Sequence, residues 1–310
     1  MTRKGPQNHA ASIRQRLLNK ARQQNEDFNL VLFRYAAERL LYRLSRSSHR
    51  DRFVLKGATL FQIWTGQSHR PTRDLDLLGQ GMPSSDKFLQ LFREVCQQDV
   101  EEDGLEFRSE TVRAEPIKED DEYQGLRLKL QATLAPARIQ LQIDIGFGDA
   151  VTPAPDEIDF PTLLDLPAPS LKAYPRETVV AEKYQAMVML GIANSRMKDF
   201  YDVWTLARQF AFSGITLSKA IRATFERRQT ALPEQLPMAL DDEFAQDRQK
   251  LTQWKAFIGK NKLNAEGSSL PEIVETLRIF LMPPTGALLR ATDFDQDWQP
   301  LGPWRPCRKG

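Results

Sequence analysis

From Leu30 to Leu44 apolar residues recur at three- and four-residue steps, the period of a helix with one buried stripe. Residues 12–18 share that period and predict a helix before it. On the second helix, Arg34, Arg39, Arg43 and Arg46 are expected to decorate the margins. Phe53-Val54-Leu55-Lys56 is a short apolar run stopped by Gly57, and residues 58–64 are again helical in pattern, so a strand, a glycine turn and a helix follow one another. Residues 66–71 read as a loop. Residues 72–78 then alternate polar and apolar up to Gly79, as a half-buried strand does. A helical pattern starts at Ser84 and runs through Phe88, Leu91, Phe92 and Val95. The plainest pattern comes next: residues 126–134 and 138–146 are two period-two strands around Ala135-Pro136, which predicts an antiparallel hairpin. The proline-rich stretch 151–175 reads as a loop-rich connection. Beyond it the alternation stops, and residues 176–295 predict several helices, the first over Glu177 to Asn194, with a less regular polar stretch at 228–270. The Pro- and Arg-rich residues 299–310 predict a loosely held tail.

This order of elements implies an α+β protein. Residues 1–50 form a helical segment packed on a core of residues 51–165 with a mixed sheet. Residues 166–310 form a mainly helical C-terminal lobe, with the 151–175 stretch as the hinge.

Composition narrows the class. The 310 residues are 41% apolar and 27% charged, and 17 Phe, 5 Trp and 6 Tyr supply the anchors of a packed core, which excludes wholesale disorder. The longest apolar run, Ala186 to Ala193, is well short of the roughly 18 residues a membrane span needs. The opening residues lack the apolar region of a secretory signal, so a cytoplasmic location is expected. Cys96 and Cys307 are far apart, and His9, His49 and His69 are scattered, which argues against a disulfide framework and a zinc site. The net charge of +2 conceals two opposite blocks. Residues 1–50 carry 11 Lys and Arg against 3 Asp and Glu, whereas residues 81–122 carry 13 acidic residues against 5 basic ones. A basic N-terminal segment suits a polyanion such as RNA, and a solvated helix face suits it equally.

Three carboxylates stand out by position. Asp74 and Asp76, at i and i+2 on a strand, point to one face with Cα atoms about 6.5 Å apart. That arrangement suits one or two Mg²⁺ ions, which take hard oxygen ligands. Asp144 shares the polar side of its strand with Gln140 and Gln142, opposite Ile139, Leu141, Ile143 and Ile145, and could meet the pair across the sheet. An Asp-x-Asp alone is weak, because carboxylates alternating toward water are common. The segment upstream strengthens it. Gly57-Ala58-Thr59 lies at a strand-to-helix turn, where backbone N–H groups and the positive helix end favour phosphate. Gly57 permits close approach, and Thr59 can donate a hydroxyl or cap the helix. A phosphate cradle followed by a metal-binding Asp-x-Asp is the layout of a nucleotidyltransferase site.

These segments resemble a known family. Residues 53–60 with His69-Arg70-Pro71-Thr72-Arg73-Asp74-Leu75-Asp76-Leu77-Leu78 are similar to the first two motifs of the AbiEii/AbiGii-type nucleotidyltransferase toxins, relatives of the MenT toxins. Ala181-Glu182-Lys183-Tyr184-Gln185-Ala186 resembles the third motif and Ser195-Arg196-Met197-Lys198-Asp199-Phe200-Tyr201-Asp202 the fourth. Ala58 stands where the family often has Gly, which leaves backbone donation intact, and the C-terminal third matches no motif. The resemblance implies a DNA-polymerase-β-like nucleotidyltransferase core, a helical C-terminal lobe and nucleotide bound between them. It also implies transfer of a nucleoside monophosphate from an NTP to the 3′ end of tRNA, which blocks translation and growth, and an antitoxin protein encoded nearby.

Roles follow from residue chemistry within that family pattern. Asp74, Asp76 and Asp144 would hold Mg²⁺ or Mn²⁺, with Asp144 nearest the acceptor hydroxyl or acting as its base. Lys183 would reach the β- and γ-phosphates; as an ordinary surface lysine it would pair with Glu182 or Glu177. Lys56, Gly57, Ala58, Thr59, Arg73, Arg196 and Lys198 would contact nucleotide, and Arg196 and Lys198 also suit RNA. Asp199 and Asp202 share a helix face: Asp199 would orient Lys183 or the nucleotide, while Asp202 binds nucleotide or only caps and stabilises its helix. Trp64 and Trp204 are expected to pack, and His69 to lie on the surface. The basic block should face the RNA acceptor, and the acidic block should lie away from it or meet a basic partner.

Four other classes compete. A catalytically inactive binding module that acts through a partner is disfavoured by the intact aspartates. A glycosyltransferase would place an αβ repeat before the Asp-x-Asp, and a phosphatase would need Thr or Val where Leu78 stands. An NTP-dependent kinase-like phosphotransferase uses the same ions and stays open.

Overall fold

The computed structural model describes residues 6–66, 69–82, 84–118, 124–263 and 269–307. Arg3 and Lys4 of the basic block, Glu119 to Glu122 of the acidic block, residues 67 and 68 of the expected loop, and the last three residues of the tail lie outside the described residues. The chain divides into two compact units, Met1–Gly148 with Asp156–Ala173, and Asp149–Pro155 with Tyr174–Gly310. Their secondary structure is α+β: a mixed seven-stranded sheet in the first and mainly helices in the second.

The first unit begins with α1 (Pro6–Gln23) and α2 (Phe28–Arg46). Asp27 caps α2 by accepting the N–H groups of Asn29 and Leu30. β1 (Phe53–Lys56), α3 (Leu60–Thr65), β2 (Leu75–Gly79) and α4 (Ser85–Cys96) follow. Next come β3 (Leu105–Lys118), β4 (Gln124–Leu134), β5 (Ala137–Phe147), β6 (Asp156–Asp159) and β7 (Ser170–Ala173). The sheet order is β3-β4-β5-β2-β1-β7-β6, with β2 parallel to β5 and β1 parallel to β7. Alternation divides its faces. Ile139, Leu141, Ile143, Ile145 and Phe147 of β5 are buried. Helix α4 packs on that side, with Phe88 edge-on to Phe147 and to Phe53 of β1. Helix α2 packs against β5 and α4.

The expected β4–β5 hairpin forms around Ala135-Pro136, with Ala135 at φ 51. Pattern reading had no strand for residues 105–118. There β3 is an edge strand whose register shifts between Arg108 and Arg113, and the bulge breaks the alternation that reveals other strands. The stretch 151–175 likewise contains β6 and β7, too short at four residues each to show a period.

Two arginines of the basic block leave the exposed face that its charge suggested, while Arg16, Arg22 and Arg46 stay exposed. Arg39 and Arg43, expected at the margins of α2, are 1% and 5% exposed. Arg39 pairs with buried Glu38 at 2.9 Å and donates to the Pro167 carbonyl; Arg43 pairs with buried Asp103 at 2.5 Å. Tyr42 donates to Glu101 and His49 contacts Glu94. Glu94, Glu101 and Asp103 of the acidic block therefore meet residues of the N-terminal segment. A charge inside a folded domain needs a counter-charge: Arg43 finds it across the two blocks in Asp103, and Arg39 finds it within its own block in Glu38.

The second unit holds α5 (Arg176–Leu190), α6 (Met197–Gln209), β8 (Phe212–Ser213) and α7 (Gly214–Arg227). It continues with α8 (Asp242–Gln246), α9 (Arg248–Asn261), α10 (Leu270–Leu289), β9 (Gln296–Trp298) and β10 (Trp304–Pro306). Its core joins Tyr184 with Phe225, stacks Phe200 on Phe244, and fully buries Leu277, Phe280 and Leu281. The tail expected to be loose is held as far as residue 307. Strands β8, β9 and β10 form a small sheet. Trp304 stacks on Phe280 and donates to its carbonyl, and Trp298, 1% exposed, donates to the Ala207 carbonyl. Two tryptophans are enough to anchor such a segment. No described helix is long and apolar enough to cross a membrane.

Candidate active site

The polar face of the first unit's sheet is assembled by strand register. Across β1 and β2, Lys56 lies opposite Asp76; across β2 and β5, Asp76 lies opposite Asp144. Opposed residues project from the same face, so the two carboxylates adjoin. Asp74 precedes β2 by one residue, so the strand starts later than its alternation suggests. One carboxylate oxygen from each of Asp74, Asp76 and Asp144 lies within 4.8 Å of the others, and all three residues are half-buried. Three like charges at that spacing repel one another, and their hard oxygens are the donors that Mg²⁺ or Mn²⁺ takes.

Each carboxylate is held differently. Thr72 donates its hydroxyl to Asp74. Asp76 lies directly against Gly57, where a Cβ would come 1.9 Å from the Asp76 Oδ2 atom. Gly57, at φ 80, is therefore required twice, by its left-handed backbone and by the carboxylate beside it. Asp144 accepts from Arg127 Nε at 2.8 Å and Nη2 at 2.7 Å, and from the Gln142 amide at 3.3 Å. The bond to Asp144 pushes the Arg127 guanidinium above its ordinary pKa.

Gly57, Ala58 and Thr59 form a tight turn in which the N–H groups of Leu60, Phe61 and Gln62 bond back to their carbonyls. Thr59 does not cap α3 with its side chain; its hydroxyl donates to the Lys56 carbonyl at 3.3 Å. Helix α3 spans six residues, so any attraction for phosphate rests more on the backbone of the turn than on a helix dipole. Arg73 is exposed beside Asp74. His69, expected at the surface, stacks half-buried on Phe61 at 3.9 Å. Trp64 packs edge-on against Phe61, and Trp204 is tilted against Tyr201.

Lys183, Arg196, Lys198, Asp199 and Asp202 belong to the helical unit. Lys183 of α5 lies 2.6 Å from Asp199 and 2.8 Å from Asp202 of α6, both fully buried. Asp202 is therefore an ion-pair partner of the lysine rather than a helix cap. Arg196 reaches Asp199 at 2.7 Å, and Lys198 is exposed. Burial alone would raise the Asp199 pKa, but Lys183 and Arg196 outweigh it and hold the carboxyl below its ordinary value. The turn into α6 is fixed by buried Asn194, whose side chain accepts the Arg196 N–H and whose carbonyl accepts buried Lys250. Glu182 pairs with Arg228, which also pairs with Asp149.

Sequence reasoning overlooked Thr72, Arg127 and Arg228. Arg127 was within reach: a hairpin closed at Ala135-Pro136 pairs Leu134 with Ala137, and counting back along both strands puts Arg127 opposite Asp144. Arg228 carried no signal, because its partners are scattered along the chain.

Residues 39–276 match the family model described as nucleotidyl transferase AbiEii toxin, type IV toxin–antitoxin system. Among solved structures, a candidate nucleotidyltransferase from H. pylori is similar at 15% identity and a TM-score of 0.47, over 83% of this chain and 95% of that one. JHP933 from Helicobacter pylori is similar at 14% identity and a TM-score of 0.46, over 82% and 90%. No curated protein matches the chain in sequence.

Proposed function

The chain belongs to the nucleotidyl transferase AbiEii toxin family of type IV toxin–antitoxin systems, and on that premise we propose that it transfers a nucleoside monophosphate from an NTP to the 3′ end of tRNA. Growth then stops because the acceptor end is blocked. The observation that carries the reading is the convergence of Asp74, Asp76 and Asp144 within 4.8 Å on one sheet face. Asp74, Asp76 and Asp144 would hold Mg²⁺ or Mn²⁺, which when bound would supply Lewis-acid polarisation of the phosphates and a more acidic acceptor hydroxyl.

The chain's own residues do the positioning. Gly57, Ala58 and Thr59 offer backbone N–H groups for phosphate beside Asp76, and Lys56 and Arg73 add positive charge next to the carboxylates. Asp144 is the carboxylate suited to orient the acceptor hydroxyl or take its proton. Lys183, ion-paired with Asp199 and Asp202, is the lysine suited to the charge that builds on leaving pyrophosphate. Arg196 and Lys198 are suited to nucleotide or RNA phosphates. The partner belonging to such a system is an antitoxin protein that restrains the enzyme.

The test incubates the purified protein with Mg²⁺, total RNA and each α-labelled NTP in turn, beside Asp76→Ala. The expected result is label on RNA of tRNA size from at least one NTP, lost in the variant. Label arriving only from γ-labelled ATP would overturn the reading in favour of a kinase. No transfer, with growth inhibition equal in wild type and Asp76→Ala, would overturn it in favour of a binding module.

A further inference from the structure

We infer that Arg127 is the positioning residue of the third metal ligand, holding Asp144 in the orientation from which it meets Asp74 and Asp76. The inference rests on the reading of those three aspartates as a cation site. The β4–β5 register puts Arg127 directly opposite Asp144 on the polar face. Its Nε and Nη2 donate to separate oxygens of the carboxylate at 2.8 and 2.7 Å, the two-pronged geometry that only a planar guanidinium provides. A carboxylate offers about four acceptor positions. Arg127 takes one on each oxygen, and the positions left are contested only by the long Gln142 contacts, which a cation can displace.

Little else restrains Asp144. The Gln142 amide is neutral and lies at 3.3 Å from both oxygens, the long end of the hydrogen-bond range. Repulsion from Asp74 and Asp76, whose carboxylates converge with it inside 4.8 Å, pushes Asp144 away from the cluster. The guanidinium opposes that rotation.

Arg127 has two opposed effects on a divalent cation. Its charge repels the cation, and its fork pre-orients a ligand. The side chain is 36% exposed, so solvent and salt screen the charge. The fork is a short-range geometric constraint that screening does not weaken. Orientation therefore outweighs repulsion, and hydrogen-bond partners of metal ligands are commonly worth about 10- to 100-fold in affinity.

Arg127→Lys separates the two effects, because it keeps the charge and loses the fork. The test is a Mn²⁺ titration of the full chain without nucleotide, followed by the paramagnetic resonance signal of free Mn²⁺, for wild type, Arg127→Lys and Arg127→Met. Thermal melts check folding. We expect both variants to bind Mn²⁺ at least about tenfold more weakly than wild type. The Mg²⁺ concentration giving half-maximal nucleotide transfer should rise by a similar factor. Wild-type affinity in Arg127→Lys would overturn the inference, as would tighter binding by Arg127→Met, since either makes charge the deciding effect. Should Arg127→Met fail to fold, Arg127→Lys decides by itself. If the wild type transfers no nucleotide, the functional reading fails while the Mn²⁺ titration still decides the role of Arg127. If transfer occurs and Arg127→Lys binds Mn²⁺ like wild type, the inference alone fails.

Discussion

Replacing Gly57 with alanine adds one methyl group at the point where the backbone turn and the acidic cluster meet. Two costs follow. Gly57 has φ 80, a left-handed conformation that costs an L-residue about 1–2 kcal/mol. In a unit the size of the first, each kcal/mol lowers the melting temperature by about 2–4 °C, so a drop of about 2–8 °C in the unfolding of that unit is expected. The second cost falls on function. The new Cβ would lie 1.9 Å from Asp76 Oδ2, whereas real Cβ contacts essentially never come under 3.0 Å. The Asp76 carboxylate must therefore move by about 1 Å, and a displacement of that size in a catalytic constellation costs about 100-fold in rate. Gly66→Ala is the control: its φ of 70 carries the same backbone cost, but nothing among the described residues lies within 4 Å of the new methyl group. Melting curves and the α-labelled NTP assay, run on both variants, should give similar losses of stability but loss of transfer only in Gly57→Ala. Transfer by Gly57→Ala within a few-fold of wild type would refute the placement of Asp76 in the reacting centre.

Two further predictions concern buried charge. Lys183→Met leaves Asp199 and Asp202, both fully buried, without their shared lysine. Breaking a buried pair from one side costs about 3–5 kcal/mol, so denaturant unfolding should show a loss near the lower end, because Lys183 is 15% exposed. Adding Asp199→Asn and Asp202→Asn should recover most of it; an unfolding midpoint unchanged in Lys183→Met contradicts the account. Burial pushes Glu38 from 4.5 up to about 7, partly offset by Arg39. A carboxyl raised on folding contributes stability that is complete below its ordinary value and is lost as pH climbs through about 7. Glu38→Gln should therefore gain on wild type between pH 5 and pH 8, by at most about 3 kcal/mol. Denaturant midpoints of both proteins across that range check the sign, and a constant difference between them would reject it.

Local pattern and tertiary pairing contributed differently to what could be read in advance. The hairpin of residues 126–146 was legible because alternation and turn chemistry agree over a short span. The helix periods of α2 and α4 were legible for the same reason. Strand β3 was not, since a bulge interrupts its alternation. Strands β6 and β7 were not, since four residues cannot display a period. The tail was misjudged because Trp298 and Trp304 find Ala207 and Phe280, far back along the chain.

By itself, the sequence determined the residue types of the candidate site: a glycine at a strand-to-helix turn, aspartates two apart on a strand, and a third aspartate on the polar side of a hairpin. Alternation is a property of neighbouring residues, so it reaches as far as the face on which each side chain stands. Tertiary structure alone decided that Asp144 stands beside Asp76, because the parallel β2–β5 register joins segments some 70 residues apart and no local rule sets it. It also decided the fate of charge. Arg39 and Arg43 look like a surface available to RNA, yet the fold buries them against Glu38 and Asp103. Whether an ion meets water or a counter-ion depends on what packs over it, which hydropathy along the chain does not contain.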